Sequence, residues 1–236
     1  MGREVSALTS NQVSRRNIRL LILLSAAVYF SSYLTRLNYS AVLVEMIASE
    51  HYTRSAASAA LTGLFITYGA GQLLSGYLGD RTKPQLLIFA GLLVSAAMNL
   101  LIPPCPDTGL MTAVWCVNGL AQAMMWPPLV RILSELLSEA DYKNATVRVS
   151  WGSSLATILI YLTAPLFIQW GGWRLIFFVC AVFALVMAFV WIFCFRKLES
   201  KMRANRLVPV AHSAVNGKGA GIPSTLWGVL ALIMLA

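Results

Sequence analysis

The sequence predicts an all-α integral membrane protein, because it is strongly apolar and its apolar residues lie in long runs. Of its 236 residues, 58% are hydrophobic and only 11% are charged, and the mean hydropathy is +0.71. Soluble domains carry about 25% charged residues. The net charge of +9 does not indicate nucleic-acid binding, because the basic residues gather between the apolar runs, as membrane topology requires.

Six apolar runs are long enough to cross a bilayer, which takes about 20 residues of helix. They lie at 20–47, 57–78, 85–103, 110–134, 148–168 and 174–195. We predict a six-helix transmembrane bundle over 20–195, between a cytoplasmic N-terminal segment, 1–19, and a basic, glycine-containing cytoplasmic linker, 196–224. A further apolar run at 225–236 is too short to span, so we expect it to be an incomplete seventh helix that opens a second half of the protein.

The lysines and arginines predict the orientation of this bundle. They concentrate in the N-terminal segment, in the loop after the second span and in the linker, whereas the alternate loops hold little more than Arg54 and Arg174. By the positive-inside rule the N-terminus faces the cytoplasm, which predicts a multi-pass protein of the cytoplasmic membrane. Trp170 and Trp173, which flank a Gly-Gly turn, are then expected to be aromatic anchors at the outer interface.

The sequence contains no arrangement typical of an enzyme, a metal site or a cofactor site. The four cysteines show no CxxC or Cys/His spacing, which indicates packing residues. No Ser/His, paired-Asp or HExxH motif lies in any span, and the two histidines, His51 and His212, lie in loops. We therefore expect neither catalysis nor a metal or cofactor.

One arginine, Arg36, lies well inside the first apolar run, where a cation costs about 3 kcal/mol. Tyr29, Tyr33 and Ser40 share its face of the helix, because they recur at helical spacing. This grouping favours the wall of a water-filled cavity, in which the guanidinium would bind a carboxylate or a phosphate. A structural ion pair is the alternative, although the acidic residue of that span, Glu45, is expected on nearly the opposite face.

The fourth span carries a second polar and aromatic face. Asn118, Gln122 and Trp126 recur at helical spacing. Pro127-Pro128 is expected to bend the helix, and Gly119 lies on a small-residue edge where another helix can approach closely. A bent helix with amide side chains suits a cavity wall. The alternative is a packing face with amide hydrogen bonds between helices.

The second span ends in the loop "GYLGDRTKP", which is different in kind from the rest of the chain. It carries Asp80, Arg81 and Lys83 directly after a glycine-rich helix end. This order of residues would place the Asp80 carboxylate where the spans slide against each other. The alternative is that these charges are simply those of a solvated loop. Within the same span, Gln72 is a polar group at mid-depth.

Together these residues resemble the major facilitator superfamily of secondary transporters. The run Gly76-Tyr77-Leu78-Gly79-Asp80-Arg81-Thr82-Lys83 matches the family's signature loop, and six spans followed by a basic linker match its layout of two halves. Within the family, "SSYLTRLNYS" and "NGLAQAMMWPPLVR" are similar to the first and fourth spans of the organophosphate:phosphate antiporter group, which includes glycerol-3-phosphate and hexose-phosphate carriers. The resemblance extends to about Lys197.

The resemblance implies a binding site and a gate. In that group a first-span arginine binds the substrate phosphate, and the match falls on Arg36. The implied substrate-binding residues are Arg36, Tyr29, Tyr33, Gln72, Asn118, Gln122 and Trp126. The implied gating residues are Asp80, Arg81, Gly76 and Arg131. Gln72 and Leu155 stand where glycerol-phosphate carriers have lysine and histidine, so a monoanion or a carboxylate fits better than a small, doubly charged phosphate ester.

The expected function is secondary active transport of a small anionic solute, an organophosphate or another organic anion, by alternating access, with exchange for phosphate as one mode. The expected partners are that solute, the lipid bilayer and a C-terminal half, or a second copy if the protein is naturally this short. Two alternatives stay open. One is a transporter-like membrane sensor of a sugar phosphate, and the other is a non-functional half-transporter.

Overall fold

The part of the chain that the structure describes is almost entirely helical. The computed structural model describes the backbone of residues 2–206 and the side chains of residues 15–79 and 81–202. Its helices are α1 (Gly2–Glu50), α2 (Arg54–Arg81), α3 (Pro84–Leu101), α4 (Thr108–Ala123), α5 (Trp126–Leu136), α6 (Glu139–Gly171) and α7 (Trp173–Arg206). The all-α prediction is confirmed, and α1, α3, α6 and α7 are long and apolar enough to cross a membrane.

The first and last helices extend beyond the predicted bundle. α1 begins at Gly2, within the segment that we expected to precede the first span, and α7 continues to Arg206, within the predicted linker. The lysines, arginines and glutamate after the sixth span lack an apolar period. They have good helix propensity, however, so α7 continues through them. The rest of that linker, 207–224, and the predicted seventh helix, 225–236, lie outside the described residues.

The predicted fourth span consists of two helices. α4 and α5 meet at Met124-Met125, where the Met124 N–H donates to the Ala121 carbonyl at 3.1 Å. Pro127 and Pro128 cause the interruption, because proline has no N–H to donate and is tolerated only in the first turn of a helix. The expected disturbance is therefore a two-residue interruption between α4 and α5, and Trp126 is the first residue of α5.

Glycines allow the main helix contacts of the bundle, which join α1 to α6 and α2 to α4. A Cβ atom added to Gly119 in α4 would lie 2.5 Å from the Leu64 carbonyl oxygen in α2. One added to Gly152 in α6 would lie 2.5 Å from the Ala26 carbonyl oxygen in α1. Such close backbone approach is typical of transmembrane helix packing, and the small-residue edge predicted at Gly119 is confirmed.

The junction of α6 and α7 differs from its prediction. Gly172 ends α6 with a φ of +73°, a conformation that favours glycine. Trp170 is 74% exposed, as expected of an interfacial anchor, but Trp173 is only 2% exposed. The Trp173 indole donates to Glu50 Oε1 at 3.1 Å, and Arg174 forms an ion pair with the same carboxylate at 2.8 Å. Trp173 is therefore a core residue that joins the end of α1 to the start of α7.

Candidate functional site

The face predicted on the first span forms one side of an aromatic site around Arg36. The guanidinium carbon of Arg36 lies 4.1 Å from the ring centre of Tyr33 and 5.2 Å from that of Tyr68 in α2. At these distances both rings stabilise the cation through their π faces. Tyr68 was not singled out from the sequence, because it reaches Arg36 only through the packing of α2 beside α1.

The aromatic site continues from α1 to the first turn of α5. The ring centre of Tyr29 lies 5.0 Å from that of Tyr33 and 4.7 Å from that of Trp126. Four of the predicted binding residues, on two different helices, thus come together. Trp126 is the first residue of α5, directly before the two prolines.

Arg36 forms no ion pair with any carboxylate in the described part of the chain. The ion pairs found there join Arg131 to Glu135, Lys143 to Glu139 and Arg174 to Glu50. Arg36 is half-buried, and its Nε is buried without a hydrogen-bond acceptor among the described residues. The structural ion pair that the sequence left open is therefore not formed among these residues. The guanidinium can instead offer its planar set of donors to an external anion.

Asn118 and Gln122 lie in a buried hydrogen-bond network between α1, α3 and α4. Their exposed fractions are 0% and 2%. Gln122 accepts from the Ser32 hydroxyl at 2.5 Å and donates to Thr35 Oγ1 at 3.0 Å. Asn118 accepts from the Ser95 hydroxyl at 2.7 Å and donates to the Thr35 carbonyl at 3.1 Å. The amide groups of both residues are thus occupied within the protein.

Thr35 is the centre of this network and directly precedes Arg36. Its carbonyl also accepts from Asn99 Nδ2 at 3.1 Å, and Asn99 Oδ1 accepts from Asn38 Nδ2 at 2.6 Å. Buried polar networks whose members are satisfied make a core rigid. The network therefore fixes the α1 backbone beside Arg36. Asn118 and Gln122 thus form amide hydrogen bonds between helices, as in the alternative given above for the fourth span. Direct contact of these amides with a solute stays a prediction.

Gln72 lies one helical turn beyond Tyr68 in α2. The two residues share a face of the helix because they are four positions apart. Gln72 is half-buried, and none of the hydrogen bonds in the described part of the chain includes it. Its side chain is therefore free to adapt to a ligand, and its role in specificity stays a prediction.

The predicted gate residue Arg131 links α5 to the end of α2. Its Nη1 donates to the Gly79 carbonyl, and its Nε donates to Glu135 Oε1 at 2.7 Å. Arg131 and Glu135 border a cavity of about 480 Å³ between the α2–α3 loop, α5 and α7. Asp80 directly follows Gly79 in the last turn of α2, and its side chain lies outside the described residues.

The other two predicted gate residues make less contact. Arg81 is exposed, and its guanidinium carbon lies 4.3 Å from the ring centre of Tyr77. A Cβ atom added to Gly76 would meet no atom within 4 Å, so this glycine is not needed for close packing within the bundle. Its part in gating stays a prediction.

Metal and thiol chemistry have little support among the described residues. No group of three or more His, Cys, Asp or Glu side chains there could hold a metal ion. All four cysteines are free. Burial, with the nearby Asp107 carboxylate, raises the pKa of the Cys105 thiol, so this group stays protonated and unreactive at neutral pH.

Known proteins similar to this chain include transporters and a membrane sensor protein. The model of the Major Facilitator Superfamily matches residues 25–236. The probable hexose phosphate transport protein of Chlamydia muridarum is 25% identical over 166 residues, which are 70% of this chain and 36% of that protein. The glycerol-3-phosphate transporter of Bacillus subtilis is 26% identical over 170 residues, 69% of this chain and 37% of that protein.

The membrane sensor protein UhpC of Salmonella typhimurium is 26% identical over 215 residues, which are 88% of this chain and 47% of that protein. The chain thus spans less than half the length of these three relatives.

Solved structures show the same fold. The inward-facing, unoccupied structure of a bacterial homolog of the human lysosomal transporter Spinster aligns with a TM-score of 0.68 and 14% identity, over 91% of this chain and 49% of that one. The peptide transporter POT in complex with alafosfalin aligns with a TM-score of 0.64 and 14% identity, over 91% and 44%. With the family model, these structures confirm the fold. The family model and the sequence relatives confirm the organophosphate-antiporter resemblance, and those relatives are not enzymes. The chain belongs to the major facilitator superfamily.

Proposed function

We propose that the protein is a secondary transporter of a small anionic solute, an organophosphate or another organic anion, and that Arg36 binds the anionic group. The observation that carries this proposal is the environment of the Arg36 guanidinium. Its guanidinium lies between the rings of Tyr33 and Tyr68, and no carboxylate of the described residues pairs with it. A charge placed in a predicted span without an acidic partner among the described residues is best explained by a ligand that supplies one.

The aromatic site would bind both parts of such a solute. The N–H groups of Arg36 would donate to its phosphate or carboxylate oxygens, as planar guanidinium groups commonly do. Tyr29 and Trp126 would pack against the uncharged part, and Gln72 would add an adaptable hydrogen bond. The similarity to hexose phosphate and glycerol-3-phosphate transporters supports an organophosphate. Exchange for phosphate is the mode that we propose for it.

Alternating access requires a second half that pairs with this one across the site. The chain spans less than half of the relatives cited above, so we propose that a C-terminal half, or a second copy of the chain, completes the transporter. Positive charge at the N-terminus of α1 and in the α2–α3 loop supports a cytoplasmic N-terminus. The Arg131 contact with Gly79 would then hold cytoplasmic helix ends together in the outward-open state.

Counterflow tests this proposal. The polypeptide would be purified from its native membranes, its intact mass measured, and the protein reconstituted in liposomes loaded with inorganic phosphate, glycerol 3-phosphate or a hexose 6-phosphate. We expect uptake of the labelled solute only into liposomes that are loaded with an exchangeable solute. Uptake should be lost in Arg36→Ala but not in Arg148→Ala, a control at an exposed residue. Solute exchange by Arg36→Ala at the parental rate would overturn the proposal.

A membrane sensor is the second candidate, because the similarity to UhpC covers 88% of this chain. A sensor would bind the solute through the same aromatic site without moving it. Saturable, Arg36-dependent binding together with absent counterflow would therefore favour the sensor over the transporter.

A further inference from the structure

An apolar groove lies between the start of α1 and the end of α7, separate from the aromatic site. Its volume is about 440 Å³. Its apolar lining consists of Leu20, Leu23 and Leu24 from α1 and Cys194 and Leu198 from α7. Leu20 and Leu23 are 45% and 66% exposed, so the groove opens on the apolar outside of the bundle.

One end of the groove is polar and basic. Asn17, Lys197 and Lys201 complete its lining, and no acidic side chain of the described residues lines it. Asn17 precedes the leucines of α1, and Lys197 and Lys201 follow Cys194 in α7, so the polar groups lie toward the end of the groove where both helices reach the predicted membrane surface. The groove is thus apolar toward the membrane interior and cationic at its boundary.

Asn17 supplies an independent sign of a missing partner. Its side chain is 7% exposed, and its Nδ2 has no hydrogen-bond acceptor among the described residues. Most buried amide donors in proteins are paired, because an unpaired one is destabilising. An acceptor brought to the polar end of the groove by a ligand would satisfy this amide.

We propose that the groove binds an anionic phospholipid of the leaflet that contacts the basic helix ends. One acyl chain would lie along the three leucines and Cys194, and the phosphate oxygens would meet Asn17, Lys197 and Lys201. The order of the groove, basic and then apolar, matches the order of headgroup and chain in a lipid. Basic pockets between transmembrane helices recognise anionic headgroups in this way. The proposal does not depend on whether the protein transports a solute.

Lipid binding to the purified protein tests this proposal directly. The full chain would be titrated in a neutral detergent with phosphatidylglycerol or with phosphatidylcholine of the same acyl chains, and bound lipid would be counted by native mass spectrometry. We expect tighter binding of phosphatidylglycerol. The double variant Lys197→Gln/Lys201→Gln should weaken that binding roughly twenty-five-fold, from about five-fold for each lysine. Asn17→Leu should also weaken it, by about ten-fold.

The matched control is Lys143→Gln/Arg148→Gln, which removes two exposed positive charges outside the groove. It should leave phosphatidylglycerol binding unchanged. An equal loss in both double variants would show diffuse attraction and overturn the proposal, as would equal affinity for the two lipids.

The reactivity of the Cys194 thiol, which lines the groove, can show whether a lipid is bound there. Phosphatidylglycerol should slow its modification by N-ethylmaleimide, measured by peptide mass spectrometry, whereas phosphatidylcholine should have little effect. If Cys194 is equally protected with and without added phosphatidylglycerol, another occupant such as a segment of the protein itself fills the groove, and the proposal is wrong.

Discussion

The guanidinium carbon of Arg36 lies 4.1 Å from the ring centre of Tyr33, one turn earlier on the same helix. This contact and the more distant one with Tyr68 each contribute about 0.5–1 kcal/mol. Placing an arginine at the centre of a span costs about 3 kcal/mol. The two aromatic contacts would offset only part of that cost, so we expect Arg36 to lower the stability of the fold when no anion is bound.

This balance predicts that Arg36→Leu stabilises the protein. Removing a cation that has no carboxylate partner among the described residues should raise the midpoint of thermal unfolding in detergent, while solute binding is lost. Arg174→Leu is the matched control, because Arg174 pairs with Glu50 at 2.8 Å and should lower the midpoint when removed. If the two variants lose stability equally, Arg36 has a structural partner and is not held for an anion.

A second prediction concerns how Arg36 binds the anion. Arg36→Lys keeps the charge but loses the planar set of donors, so the initial rate of counterflow should fall roughly ten- to hundred-fold. Tyr68→Phe keeps the ring face near Arg36 and should exchange solute almost normally, whereas Tyr68→Leu should weaken exchange several-fold. Similar rates in Tyr68→Leu and Tyr68→Phe would show that the ring face does not act on Arg36.

The buried network gives a third prediction. Asn118→Leu removes one of the two amide donors to the Thr35 carbonyl and the acceptor of the Ser95 hydroxyl, so it should lower the free energy of unfolding by about 1–3 kcal/mol. Gln72→Leu is the matched amide control and should change stability by less than about 0.5 kcal/mol. Thermal unfolding of both variants provides the measurement. Equal losses would mean that Gln72 also has a structural partner.

The aromatic site was partly predictable, because positions on one helix fix a shared face. Tyr29, Tyr33 and Arg36 follow from helical spacing in α1. Tyr68 could not be found in this way, because its contact depends on how α2 packs beside α1. The spacing of Asn118 and Gln122 indicated a polar face, but not whether that face meets a cavity or another helix.

The junctions between helices were less predictable than the spans. The two prolines indicated a disturbance in the fourth span, and the structure places the break just before them. Trp173 is buried in a cluster of apolar residues from several helices, and its indole donates to Glu50, which is distant in sequence. A pattern of aromatic residues beside a turn cannot distinguish such a core residue from an interfacial anchor.

Two glycines of the predicted spans should respond oppositely to the same substitution. Gly119→Ala would place a methyl group against the Leu64 carbonyl of α2, so the helices must separate, at a cost of about 1–3 kcal/mol. Gly76→Ala meets open space and should gain about 0.5–1 kcal/mol from helix propensity. Thermal unfolding compares them. A stability gain in Gly119→Ala would contradict the close contact of α2 with α4.

The same Gly76 variant tests the proposed gate. If Gly76 has a part in gating, Gly76→Ala should slow counterflow although it stabilises the fold. Counterflow at the parental rate would exclude Gly76 from the gate and leave Asp80, Arg81 and Arg131 as its candidates.

The contact of Arg131 with the Gly79 carbonyl predicts how the gate responds to mutation. Arg131→Ala removes a charge-assisted hydrogen bond between α5 and the end of α2, so the rate of exchange should fall several-fold while solute affinity at Arg36 is retained. Glu135→Gln leaves that contact in place. It should have little effect, because the Arg131–Glu135 pair is 40% and 43% exposed and contributes about 0–1 kcal/mol.

Asp80→Asn completes this test, because it removes the acid that directly follows Gly79. Initial rates of counterflow and equilibrium solute binding would be measured on the three variants in parallel. We expect Asp80→Asn and Arg131→Ala to slow exchange without weakening binding, since a gate acts on the conformational step. If Arg131→Ala and Glu135→Gln behave alike, or if Asp80→Asn exchanges solute at the parental rate, the end of α2 is a structural contact and the gate lies elsewhere.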